Sequence, residues 1–173
     1  MKKLVLGLLA FCVFEFGCAY GENSTSTENH PYNSVQIAYP RDECSFQFSS
    51  VDFCDEKHLT AIKSAIAVRE PDFGEKYILL SIPEGLPAFF QHSLVAIDVT
   101  TGVVYPVPID GYSGVTDAEG YAKNAGKLKY NLHSNKVCIS GAIIVHRMIE
   151  NGNFCFFLAG DRFVGHHTPY MDP

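Results

Sequence analysis

Ser93-Leu94-Val95-Ala96-Ile97-Asp98-Val99-Thr100-Thr101-Gly102-Val103-Val104-Tyr105-Pro106-Val107 reads as two β-strands and the turn between them. Aliphatic and β-branched residues fill both arms. Gly102 supplies the left-handed residue that a short bulged hairpin needs. Asp98 stands where its carboxylate can accept from the turn's amides, which gives it a structural role.

Residues 76–82 form a strand before this hairpin, and residues 129–132, 137–146, 154–158 and 162–164 continue the two-residue period after it. One helix precedes them. It begins near Asp55, with Asp52 or Asp55 as its cap, and Leu59, Ile62 and Ile66 recur at helical spacing. Lys57 and Lys63 face water, and Pro71 ends it. The expected fold is α+β, mainly β: an antiparallel meander sheet packed by one N-terminal helix. Phe154-Cys155-Phe156-Phe157-Leu158 is apolar on both faces, so that strand is expected to be central and covered by the helix. Residues 110–127 carry four glycines and form a long loop.

The N-terminus follows another logic. Lys2 and Lys3 precede an apolar run over residues 4–14, too short for a bilayer and closed by Glu15. Residues 1–21 are therefore expected to be a signal peptide, cleaved before Tyr20 or Glu22. Gly17-Cys18 also matches the end of a lipobox, which makes Cys18 a lipidation candidate and gives a possible membrane anchor. Residues 22–33, rich in Ser, Thr, Asn and Glu, read as a polar tether, leaving 34–173 as a single domain. Removing the leader takes the formal net charge from −6 to −7. That sign disfavours nucleic acid and anionic lipid as partners.

Export leaves Cys44, Cys54, Cys138 and Cys155 in an oxidising compartment. Cys44 and Cys54 are near neighbours and form the preferred bridge. The second pair depends on a turn. If Asn151-Gly152 closes a two-residue hairpin, Cys155 faces Met148 and Cys138 falls near position 165, roughly 30 Å away. Then the hairpin is irregular, or both are buried thiols, or they bridge to Cys44 and Cys54.

From Asp72 to Val164 the chain resembles a group of small exported bacterial proteins of uncharacterised function. The resemblance rests on Asp72-Phe73 before Tyr77, the Ile97-Asp98 and Thr101-Gly102-Val103 hairpin, the Asn135-Lys136-Val137 strand entry, and Gly160-Asp161-Arg162-Phe163. The hairpin is similar to that in one blade of a β-propeller, but a single copy without repeat excludes a full propeller. Relatives of this kind often carry a cysteine pair between the first two strands; this chain has Pro83-Glu84-Gly85-Leu86-Pro87 there. The resemblance implies fold far more than function.

Candidate chemistry is sparse. Seven histidines lack ligand spacing, and adjacent His166 and His167 would point to opposite faces of a strand. No metal or cofactor is expected. Ser113, in Gly111-Tyr112-Ser113-Gly114, is not a nucleophile elbow. Asp117 and Glu119 on this loop could act as the paired carboxylates of a small hydrolase, with a histidine nearby. Aromatics on loops suit protein recognition instead, and Phe89, Phe90, Tyr112 and Tyr121 are the candidates for a partner surface. The expected function is a non-enzymatic envelope protein, periplasmic or lipid-anchored, that binds another protein as an inhibitor or immunity-type factor. A small envelope hydrolase and a structural lipoprotein are the alternatives.

Overall fold

The computed structural model describes residues 35–38, 44–86 and 89–172. The expected signal peptide, the Cys18 site and the tether lie outside the described residues. Among the described residues, nine strands, one α-helix and a short 3-10 turn at Pro169–Met171 make an α+β, mainly β fold. The strands are β1 (Gln36–Ile37), β2 (Tyr77–Glu84), β3 (Gln91–Asp98), β4 (Val103–Pro106), β5 (Gly111–Ser113), β6 (Lys127–Asn131), β7 (Ser134–Val145), β8 (Met148–Ala159) and β9 (Arg162–Gly165); α1 is Glu56–Val68.

Asp55 caps α1, its carboxylate accepting from the His58 amide at 2.8 Å. Asp52 instead accepts from the Cys54 amide at 2.8 Å. The buried stripe is His58, Ile62 and Ala65, with Ala61 and Ile66 at its margin. The helix ends at Arg69, two residues before Pro71.

The sheet is mixed and curled. β2, β3 and β4 form a meander, as do β6 to β9, but β1 joins β4 in parallel through Gln36 opposite Val103. The two meanders meet where one segment changes partner. The Val107 amide donates to Leu94 of β3, whereas the Asp110 amide donates to Ile144 of β7. Pro108, which has no N–H to contribute, stands between them. The start of the expected long loop is therefore strand: Gly111, Tyr112 and Ser113 are buried between β3 and β7. Close passage of β5 also explains Gly141 in the middle of β7, where a Cβ would lie 2.1 Å from the Ser113 carbonyl.

Two cores share the β2–β3–β4 sheet. Tyr77, Leu79, Leu94 and Ala96 face the inner side of β7 and β8, meeting Val137, Ile139, Phe154 and Phe156. Ile78, Ile82, Val95, Ile97 and Val104 face the other way, onto Ile62, Ala65, Phe46 and Phe53. The helix thus covers β2 and β3 and not β8. The doubly buried strand is β3; in β8, Phe157 is exposed and Cys155 half-buried on an outer face.

The expected turn at Asn151-Gly152 is also corrected. Gly152 pairs with Gly141 inside a continuous ladder, and the turn is His146-Arg147, with φ of 51° and 66°. Neither residue carries the usual Asn-Gly signal of a mirror-image turn. The new register sets Cys138 directly opposite Cys155, and the two are disulfide-bonded with Cα atoms 4.1 Å apart. Cys44 and Cys54 form the other bond, as expected. Two disulfides fit an oxidising, exported setting, and among the described residues no helix is long and apolar enough to cross a membrane.

Candidate functional site

Residues 114–126, which link β5 to β6, fold into a flap. The Gly114 amide donates to the Asn124 carbonyl at 2.7 Å, and Thr116 bridges Ala122. The Asp117 carboxylate accepts from the amides of Glu119 and Tyr121 at 3.2 and 2.8 Å, shaping the tip around Gly120 with its φ of 86°. The flap is moored to β8: the Thr116 amide donates to the Asn151 side chain at 2.9 Å, and the Asn151 amide group returns a bond to the Thr116 carbonyl at 3.2 Å.

This mooring holds an aromatic surface in place. The Tyr121 ring stacks on Phe89 with centroids 5.8 Å apart and planes 13° apart. Tyr121 is 55% exposed and Phe90 38% exposed, with Leu86, Val115, Met148 and Ile149 also open to solvent. An exposed aromatic held in a fixed position by stacking and hydrogen bonds is the kind of side chain that recognition surfaces use. Tyr112 does not belong with them. It is only 4% exposed, lies in the inner core, and shares a 2.7 Å hydrogen bond with Ser81.

The hydrolytic alternative finds no geometry in this flap. Asp117 and Glu119 are exposed, and neither has a histidine partner among the described residues. Ser113 is buried, its hydroxyl donating to the Gly114 carbonyl at 3.0 Å. Among the described residues, the one close grouping of metal-binding residue types is Cys44, Asp52 and Cys54. Its sulfurs are already joined to each other.

Two polar clusters escaped the sequence reading. In the first, His58 is 1% exposed and bridges two carboxylates, with Nδ1 2.7 Å from Asp55 and Nε2 2.6 Å from Glu84. Lys57 also contacts Glu84. Burial alone would depress the His58 pKa, but hydrogen bonds to Glu84 and then Asp55 outweigh it and raise it. Glu84 and Asp55 are correspondingly held below their usual values, against burial, by their bonds to His58. The Asp55-x-x-His58 spacing at a helix start was the available signal. His58, itself buried, thereby ties α1 to β2 through Asp55 and Glu84.

The second is Asp110, buried, which accepts from Ser49 Oγ at 2.6 Å, Tyr170 Oη at 2.7 Å and the His146 amide at 2.8 Å. Burial and this carboxylate push the Tyr170 phenol above its usual range. A cavity of about 650 Å³ opens beside it, walled by Phe46, Phe48, His146, Phe163 and Tyr170. Three donors, from residues 49, 146 and 170, thus converge on Asp110.

Comparison with protein families, with curated proteins and with solved structures finds no match to this chain.

Proposed function

We infer that the chain is an exported, non-enzymatic module that binds another protein, in the manner of an inhibitor or an immunity-type factor. The observation that carries this reading is the Phe89–Tyr121 stack, with Tyr121 open to solvent on a flap hydrogen-bonded to β8. Rigid aromatics offer large contact area at low entropic cost, which is what binding hot spots use. The pair of disulfides agrees with the exported part of this reading.

Affinity capture from envelope extracts tests the reading, using the native domain and a Phe89→Ala/Tyr121→Ala variant. A specific partner held by the first and weakened by about tenfold or more in the second is expected. Recovery of no specific partner, or equal recovery by both, would sink the proposal. The leader belongs to the same reading: the mature chain starts at Tyr20 or Glu22, or carries lipid on Cys18. Intact mass of the membrane and soluble fractions separates these.

A further inference from the structure

Backbone hydrogen bonds in a sheet alternate in direction, so the unused ones can be located residue by residue. The Ile144 carbonyl of β7 accepts from Asp110, so even-numbered residues of β7 turn toward β5 and odd-numbered ones toward β8. Their partners in β8 are even-numbered: Met148, Glu150, Gly152 and Phe154. The odd-numbered residues of β8 therefore turn away from β7. Cys155 confirms the direction, because its outward carbonyl accepts from His166 at 2.9 Å. β9 pairs with β8 only over Phe156 to Ala159. Among the described residues, no group meets the outward amides and carbonyls of Ile149, Asn151 and Asn153.

The other long edge is treated differently. On β2, the Leu79 amide donates to Asp72 at 2.8 Å and the Leu79 carbonyl accepts from Arg69 at 3.0 Å. Pro83 has no N–H, and its carbonyl accepts from Lys57 at 3.2 Å. β6 is short, is broken by a register shift between Lys129 and Asn131, and carries lysines. Capping, irregularity and lysine are the means by which sheets block strand addition. The first half of β8 has none of them. It is regular, free of proline and lysine, and adjoins the aromatic surface through Asn151 and Ile149.

We propose that the edge Ile149–Asn153 receives an extended segment of the partner protein as an added strand, with apolar side chains of that segment resting on Ile149, Val115 and Tyr121. This deepens, and rests on, the protein-binding reading. Main-chain bonds supply affinity in such docking, and the flanking side chains supply preference. Recognition of this kind extends to any β-prone strand that alternates apolar and polar residues.

The probe is an acetylated, amidated heptapeptide of alternating threonine and valine with a lysine at each end, added to the ¹⁵N-labelled disulfide-bonded domain. Saturable shifts and slowed exchange at the amides of Ile149, Asn151 and Asn153 are expected. Asn153→Pro removes one outward N–H without breaking the β7 ladder and should weaken the effect by about tenfold. The same peptide, N-methylated throughout, leaves the protein untouched and should produce no protection, so the test stands even if the proline variant misfolds. No change at these three amides at millimolar peptide overturns the proposal. Protection that appears without peptide and grows with protein concentration assigns the edge to a second copy of the chain and overturns it equally. A partner lost on Phe89→Ala/Tyr121→Ala replacement, with no peptide effect, rejects strand addition while leaving the protein-binding reading intact.

Discussion

His58 joins a helix to a strand by sharing its two nitrogens between Asp55 and Glu84, and its charge makes that joint dependent on pH. Its folded pKa is raised from 6.5, so its contribution is complete below pH 6.5 and is lost as pH rises through the raised value. Glu84 is lowered from 4.5 and Asp55 from 3.8, so their contribution is complete above pH 4.5 and is lost as pH falls through the lowered values. The urea midpoint should peak between pH 4.5 and 6.5 and decline toward pH 8. His58→Gln should flatten the alkaline limb; an unchanged limb would show that another group sets it. Arg147 in the β7–β8 turn has a φ of 66°, which suits glycine better. Arg147→Gly should raise stability by up to about 1 kcal/mol, read as the shift in urea midpoint.

At the scale of elements, the polar caps on β2 do two jobs, satisfying buried backbone and keeping other strands off. Asp72 accepts from the Leu79 amide while holding Arg69 at 2.5 Å, and Arg69 reaches the Leu79 carbonyl. Asp72→Ala should cost about 1–3 kcal/mol in urea unfolding and raise light scattering with concentration, whereas a change in stability alone would limit Asp72 to the first job. Elements with local signals were legible in the sequence. The Asp55 cap and the Asp98 turn are written within a few residues, and Asp98 does accept from the Thr100 and Thr101 amides at 2.8 and 3.3 Å. β1 was not, because its parallel pairing with β4 is decided by contacts across about 67 residues of chain. β5 is three residues long and flanked by glycine, too short for a period to show. The β7–β8 turn was misread because Asn151-Gly152 offers strong turn chemistry that the long ladder overrides.

For the whole molecule, both disulfides are local, spanning 10 and 17 residues. The second pins a long hairpin whose turn has weak intrinsic preference. Replacing Cys138 and Cys155 together by serine should cost about 3 kcal/mol in the chain-entropy account; calorimetry checks it, and no loss would mean the ladder alone holds the register. The candidate surface was legible in part. Phe90 and Tyr121 are exposed and Phe89 is half-buried against Tyr121, whereas Tyr112 is recruited to the core by β5. Asp110 escaped notice because its three donors come from residues 49, 146 and 170, which only the folded chain assembles.

Where a strand has one wet face, slipping by a single residue exposes its apolar set, and hydrophobicity alone forbids the slip. In β3, Ser93 to Asp98 are buried on both faces, so a slip would trade one greasy wall for another at little cost in solvation. Alignment there must come from the polar fastenings at the ends: the Asp72–Arg69 clasp on Leu79 and the Asp98 turn, to which Lys76 adds a 2.6 Å bond. In this protein a few charged side chains at the rim act as the alignment pins for an oily interior that would otherwise fit in more than one way.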